Sequence, residues 1–311
     1  MRNMKILILG AGGVGGYFGG RLIQLGADVC FLVRPGRAAQ LAADGLQVES
    51  PHGNFQVKVQ AITADQLHSQ WDLIALSPKA YDLEDAIETL RPAMAEQACL
   101  LPLLNGVAHM DRLDAVFGAH RVLGGVAHIA ATLSKAGVVR QLNPLHILTM
   151  GHREPAQAPL ARDFFKACEA ASFDAVYSED ITQTLWDKWT FLATLAGSTT
   201  LFRSGVGAVT AKPEGAALMD RMYKECLAVA TASGQPVGEA AQDKARGILM
   251  APGSDFTASM LRDLLAGQRT EHEHILGDMA RRAATKGVDA PLITAAYIHM
   301  VAETSGAPRA S

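Results

Sequence analysis

The chain has 311 residues, 49% hydrophobic and 19% charged, which is ample for a buried core and divides most naturally into about two domains. That balance excludes an intrinsically disordered chain and a small scaffold held by disulfides. Its 28 basic and 31 acidic side chains give a formal charge of -3 with no block of either sign, so neither a nucleic-acid groove nor a membrane patch is expected, and the partner expected is a small molecule.

Residues 5–9 form a short apolar run, GAGGVGGYFGG follows from Gly10, residues 17–25 read as a helix closed by Gly26, and residues 29–33 read as a second strand. This is a βαβ unit whose crossover should be right-handed, the start of a parallel sheet. Further strands are expected at 46–49, 55–59, 73–76 and 99–103, with helical stretches at 37–43 and 83–94, the alternation of a Rossmann-type doubly wound α/β sheet. Between about 121 and 150 the pattern turns strand-like without helices, which predicts an antiparallel addition to that sheet. Past Ser178 the texture becomes Ala-rich and amphipathic, with helices expected at 179–196, 213–233, 238–250, 254–265, 270–285 and 291–303. The expected organisation is a dinucleotide-binding domain over 1–177 and an all-helical domain over 178–311. Thr270 and Glu273 have the spacing of a capping box, and the tail from Ser305 reads as frayed.

Cys30, Cys99, Cys168 and Cys226 are too far apart for a CxxC pair and read as buried thiols in a reducing compartment. No apolar run is long enough to span a membrane, and residues 6–9 are too short for a signal segment, so a cytoplasmic location is expected. His272 and His274 point apart on a helix, which argues against a shared metal; they read as surface or interface residues.

Gly10, Gly12 and Gly15 make G-x-G-x-x-G between a strand and a helix: the first allows the turn, the second admits a pyrophosphate, the third permits close packing. The residue ending the second strand, where an acid would bind the ribose of NAD, is Arg34, with Arg37 following and no carboxylate between Asp28 and Asp44. Positive charge there favours the 2′-phosphate of NADPH; the alternative is a solvated strand end. Lys79 and Asn105 lie in loops beyond strand ends, where ligands sit in such sheets, although an exposed lysine and an ordinary Asn-Gly turn remain open. Lys188 shares a helix face with Ile181, Leu185, Leu192 and Ala196. Desolvation there would lower its pKa and let it donate and accept a proton; the alternative is a lysine whose stem covers apolar surface between Trp186 and Trp189. Ser259 and Glu271 bracket a break at Gly267, and Glu271 is available for a ligand if Glu273 fills the capping box, or is an acidic first-turn residue.

Taken together, the N-terminal GAGGVGG, Arg34, Lys79, the LLNG ending at Gly106, the WDK ending at Lys188, and SMLRDLLAGQRTE from Ser259 to Glu271 resemble the ketopantoate reductase family over nearly the whole chain. The resemblance implies reduction of a 2-keto acid, 2-dehydropantoate, by NADPH in a cleft between a Rossmann domain and a helical one, a step of pantothenate biosynthesis. It implies Lys188 as general acid, Glu271 as acceptor of a hydrogen bond from substrate hydroxyl or the lysine, Asn105 and Ser259 on the substrate's polar ends, and Lys79 and Asn105 near the cofactor. The Ala-rich helices offer a homodimer interface. One departure stands out: the family carries asparagines four and eight residues after the lysine and then Pro-Leu-Thr, whereas this chain has Leu192, Ala196 and then Gly197-Ser198-Thr199-Thr200. An apolar wall in place of two amides suits a more apolar 2-keto acid, since losing a partner at a buried polar group costs about 1 to 3 kcal/mol. A non-catalytic sensor of NADPH is the reading from another class, and the retention of Lys188, Ser259 and Glu271 argues against it.

Overall fold

The computed structural model describes residues 4–95 and 97–305. The chain forms two compact units: one reaches Thr182 but omits Asn105–Ala108, and the other consists of Asn105–Ala108 and everything from Gln183 onward. The tail expected to fray after Ser305 lies outside the described residues.

In the first unit the strands are β1 (Lys5–Leu9), β2 (Asp28–Leu32), β3 (Leu46–Glu49), β4 (Phe55–Val57), β5 (Gln60–Ile62), β6 (Leu73–Leu76), β7 (Cys99–Pro102), β8 (Gly124–Leu133), β9 (Val139–Gly151) and β10 (Asp174–Tyr177). Its helices are α1 (Gly13–Gln24), α2 (Pro35–Asp44), α3 (Leu83–Leu90), α4 (Ala108–Phe117), which opens on the last of the four residues grouped with the other unit, and α5 (Ala158–Glu169). A five-stranded parallel sheet runs β5-β2-β1-β6-β7. Strand order reverses between β1 and β6, so the carboxyl ends of these two neighbours, paired at Leu9 and Leu76, flank the point where open α/β sheets bind ligands. The expected Rossmann-type sheet is therefore present, and its three central strands are apolar but for Lys5 and Asp28, the first residues of β1 and β2, as strands buried on both faces are.

The antiparallel addition expected from 121 to 150 is instead the centre of a second sheet. β9 pairs antiparallel with β8 along one edge; along the other it pairs parallel with β10 and with β3, which forms a hairpin with β4. Alternation shows that a segment is a strand but not which sheet it joins. α1 lies between the two sheets, which its small residues permit: a Cβ on Gly19 would press on Ile8 and Phe31 of the first, and one on Gly16 would come within 2.9 Å of Val139 of the second. Tyr17, Phe18 and Leu22 of the same helix are buried in one apolar core with Ile6, Phe31, Leu46 and Leu148.

The second unit is helical, as expected: α6 (Ile181–Phe202, which begins in the first unit), α7 (Val206–Val209), α8 (Pro213–Ala232), α9 (Glu239–Leu249), α10 (Ser259–Leu265), α11 (Asp278–Lys286) and α12 (Pro291–Thr304). Among the described residues no helix is long and apolar enough to cross a membrane. Two expectations need correction. Residues 254–258 are not helical, because Ser254 O and Phe256 O accept the N–H groups of Gly207 and Val206 at the start of α7. The capping box at Thr270 does not form: Thr270 Oγ1 pairs with His272 Nδ1 at 2.8 Å, while the Glu273 carboxylate accepts from Tyr297 at 2.7 Å and Arg281 at 3.1 Å. A π-helical turn, Glu273–Gly277, precedes α11, a geometry that concentrates at functional sites.

The first turn of α12 is capped across the unit. The Glu225 carboxylate on α8, 6% exposed, accepts the N–H groups of Leu292 and Ile293 at 2.9 and 3.0 Å. Replacing Glu225 by alanine should lower stability by about 1 to 2 kcal/mol, read as a fall in the thermal midpoint with kcat unchanged, because it orphans two buried donors and removes an anion from a helix N-terminus.

Candidate active site

In the first unit the glycine turn closes the carboxyl end of β1. Gly10 has φ +93°, open to glycine at little cost, and its N–H donates to Leu32 O at 2.9 Å, tying the turn to β2. A Cβ on Gly12 would meet nothing within 4 Å, and Gly12, the N-cap of α1, has no side chain with which to cap the first N–H groups of that helix. A Cβ on Gly15 would overlap the Gly10 carbonyl oxygen and come within 2.9 Å of Ser77 Oγ. Open space at a helix N-terminus that begins on a glycine, over a tightly packed turn, fits a pyrophosphate.

Arg34 is the N-cap of α2, exposed, and its side chain makes no hydrogen bond or ion pair among the described residues. Arg37 differs from the expectation that it adds charge for the cofactor. Its guanidinium is half-buried and donates to Gly137 O at 2.8 Å, Gln40 Oε1 at 2.7 Å and Ala11 O at 3.0 Å, so it is taken up by the protein itself. Lys79 is exposed just beyond β6, as N-cap of the short turn Ala80–Asp82.

In the second unit α6 carries Lys188, whose Nζ donates to Asn105 Oδ1 at 3.0 Å. Burial of the ammonium pulls its pKa down to about 8, and the charge of Glu271 acts in the opposite direction. Glu271 is itself only 8% exposed. Trp186 and Trp189 meet edge to face at 5.0 Å, and Arg282 lies over both rings at 5.5 and 5.7 Å. Trp189 Nε1 donates to Ile275 O at 3.2 Å, fastening the π-helical turn to α6.

The structure thus brings Lys188, Asn105 and Glu271 together. Ser259, the first residue of α10, is partly exposed and makes no side-chain hydrogen bond to any of the three. Sequence reasoning missed the place of His274 and the π-helical turn that carries it. A Cβ on Gly106 would lie 3.1 Å from His274 O and 3.3 Å from its ring, so the asparagine loop sits directly against His274. His274 is partly buried, not a plain surface residue, and burial lowers its pKa against the opposing charges of Glu271 and Asp278. No sequence signal marks a π-helical turn, whereas Trp186 and Trp189 were visible as the apolar surface beside Lys188.

Leu192, one turn after Lys188, is partly exposed, and Ala196 is fully buried. The chain after it is occupied internally: the hydroxyls of Thr199 and Thr200 bond back to Leu195 O and Ala196 O at 2.7 and 2.6 Å.

Comparison with known proteins decides the family. The family model described as ketopantoate reductase PanE/ApbA matches residues 6–155, and the model of the C-terminal part of the same family matches residues 180–302. The chain belongs to the ketopantoate reductase family. It is an enzyme, an oxidoreductase of that family. It is 32% identical to the uncharacterized oxidoreductase YkpB of Bacillus subtilis over 96% of this chain and 98% of that protein. It is 26% identical to the 2-dehydropantoate 2-reductase of Halobacterium salinarum, over 97% of this chain and all of that protein. The crystal structure of a PanE/ApbA family ketopantoate reductase from Ralstonia eutropha JMP134 superposes with a TM-score of 0.86 at 26% identity, covering 97% of this chain and 99% of that one.

Proposed function

We propose that this family member reduces a 2-keto acid with NADPH, and that the substrate is 2-dehydropantoate, converted to pantoate in pantothenate biosynthesis. The observation that carries this reading is the Lys188 ammonium, oriented by Asn105 at 3.0 Å in surroundings that bring its pKa to about 8. A lysine so tuned is charged at neutral pH yet gives up its proton readily, as a general acid must. When bound, the nicotinamide supplies hydride to the keto carbon. Lys188 stabilises the negative charge that develops on the carbonyl oxygen and then donates the proton that completes the hydroxyl. Glu271 holds the lysine in its charged form, and Asn105 fixes its direction; Ser259 takes a polar end of the substrate. Gly10, Gly12 and Gly15 hold the pyrophosphate, Arg34 the 2′-phosphate, and Lys79 borders the cofactor.

Leu192 and Ala196 favour a second reading, a more apolar 2-keto acid, because neither offers the amide that the family uses toward its substrate. The experiment that tests both follows NADPH oxidation with 2-dehydropantoate, pyruvate, 2-ketoisovalerate and phenylpyruvate. Turnover of 2-dehydropantoate above the others supports the first reading; silence there with turnover of a branched or aromatic acid supports the second.

The cofactor assignment has its own check. Arg34→Asp is expected to raise the Kd for NADPH by about tenfold or more, with little change for NADH, because an anion replaces the cation facing the extra phosphate. A mutant that keeps the wild-type preference would place the phosphate elsewhere.

A further inference from the structure

Three separate segments of the first unit converge on one side chain. Arg37, in the first turn of α2, donates through Nη2 to Ala11 O, inside the glycine turn, and through Nη1 to Gly137 O, in the turn joining β8 to β9. Gln40, one helical turn on, accepts from Arg37 and donates to Ala136 O at 2.7 Å. The guanidinium is half-buried, and its burial disfavours the charge, so the charge is kept at a cost and is directed at backbone carbonyls. The planar fork of a guanidinium holds two carbonyl groups in fixed directions at once, which a single ammonium cannot do.

What the fork joins gives it a function. Ala11 lies between Gly10 and Gly12, and α2 begins at its N-cap Arg34, three residues before Arg37. We propose that Arg37 is a positioning residue of the dinucleotide site, whose guanidinium sets the spacing between the glycine turn and Arg34 and makes the β8–β9 turn part of that site's framework. This rests on the reading of Arg34 as the 2′-phosphate group. NADPH must engage the glycine turn and Arg34 simultaneously, so it depends on that spacing; NADH, which has no 2′-phosphate for Arg34 to hold, depends on it far less. Arg37 therefore governs the selectivity between the two cofactors without touching either.

The test is the ratio of Kd values for NADPH and NADH, measured by calorimetry on the full chain for wild type, Arg37→Ala, Arg37→Lys and Arg34→Asp, with thermal midpoints alongside. Arg37→Ala should weaken NADPH binding by about tenfold, the loss of two charge-assisted hydrogen bonds, while NADH binding hardly changes. Arg37→Lys keeps the charge but reaches one carbonyl, and its ratio should fall between the two. A purely structural role predicts a lower thermal midpoint with both cofactors weakened equally, and that result overturns the proposal, as does a wild-type ratio in a folded Arg37→Ala. If Arg34→Asp abolishes the NADPH preference but Arg37→Ala preserves it, the clamp alone fails. A wild type without NADPH preference overturns the phosphate assignment and the clamp together. Should Arg37→Ala not fold, the lysine variant decides: an unchanged ratio there counts against the clamp.

Discussion

Replacing Lys188 by alanine is expected to lower kcat for keto-acid reduction by about 10²- to 10⁴-fold while leaving the Kd for NADPH unchanged, the range seen for removal of a positioned general acid. The split follows from the role proposed for the side chain: an ammonium that acts when charge appears on the carbonyl oxygen contributes nothing to holding the dinucleotide. Arginine should not rescue, since a guanidinium keeps the charge but does not release its proton at these pH values. The pH dependence has a definite sign. Reduction requires the charged lysine, which is lost as pH rises through about 8, so kcat should be level below that value and fall above it. Oxidation of the hydroxy acid requires the neutral amine and should rise over the same interval. Glu271→Gln removes the charge that opposes desolvation, and the falling limb should move to lower pH. A reduction rate that stays level through this interval would assign the proton to another group.

The second large effect separates two glycines of one motif. Gly12→Val places a side chain in open space, so the thermal midpoint should stay within about 2 °C of wild type, whereas binding of both NADPH and NADH should be lost because the branched side chain fills the ground above the first turn of α1. Gly15→Ala does the opposite. Its Cβ meets a backbone oxygen that cannot swing away, together with Ser77, and overpacking of this kind costs about 1 to 3 kcal/mol. Calorimetric scans with and without cofactor distinguish the two; a Gly12→Val protein that binds NADPH normally would remove the pyrophosphate from this turn.

Much of this was legible in the residues. The strands of the parallel sheet were visible because buried strands are nearly continuous apolar runs: the sequence ranges 5–9 and 73–76 coincide with β1 and β6. The helical half was visible through its 3.6-residue period. Arg34 was legible as a cation where NAD would want an acid, and Lys188 as a charge on an apolar helix face. The role of Arg37 was not, since a charge count cannot tell a guanidinium facing solvent from one turned onto Ala11 and Gly137. The second sheet was hidden for a related reason, because pairing of β3 with β9 joins residues far apart in the chain. The π-helical turn was hidden because one inserted residue leaves the apolar period almost intact. Around Thr270 the local signal was misleading, as the Glu273 carboxylate is drawn off by Arg281 and Tyr297.

Asn105–Ala108 belong to the helical unit although some seventy residues of the other unit separate them from Gln183. Recombination between relatives that joins two genes near the start of α6 would therefore inherit the lysine from one parent and its hydrogen-bonding partner from the other. Such a chimaera keeps both residues by name only if the four-residue loop travels with the helices. Library designs that exchange substrate specificity should carry two inserts, the asparagine loop and the chain from Gln183, as one inherited block.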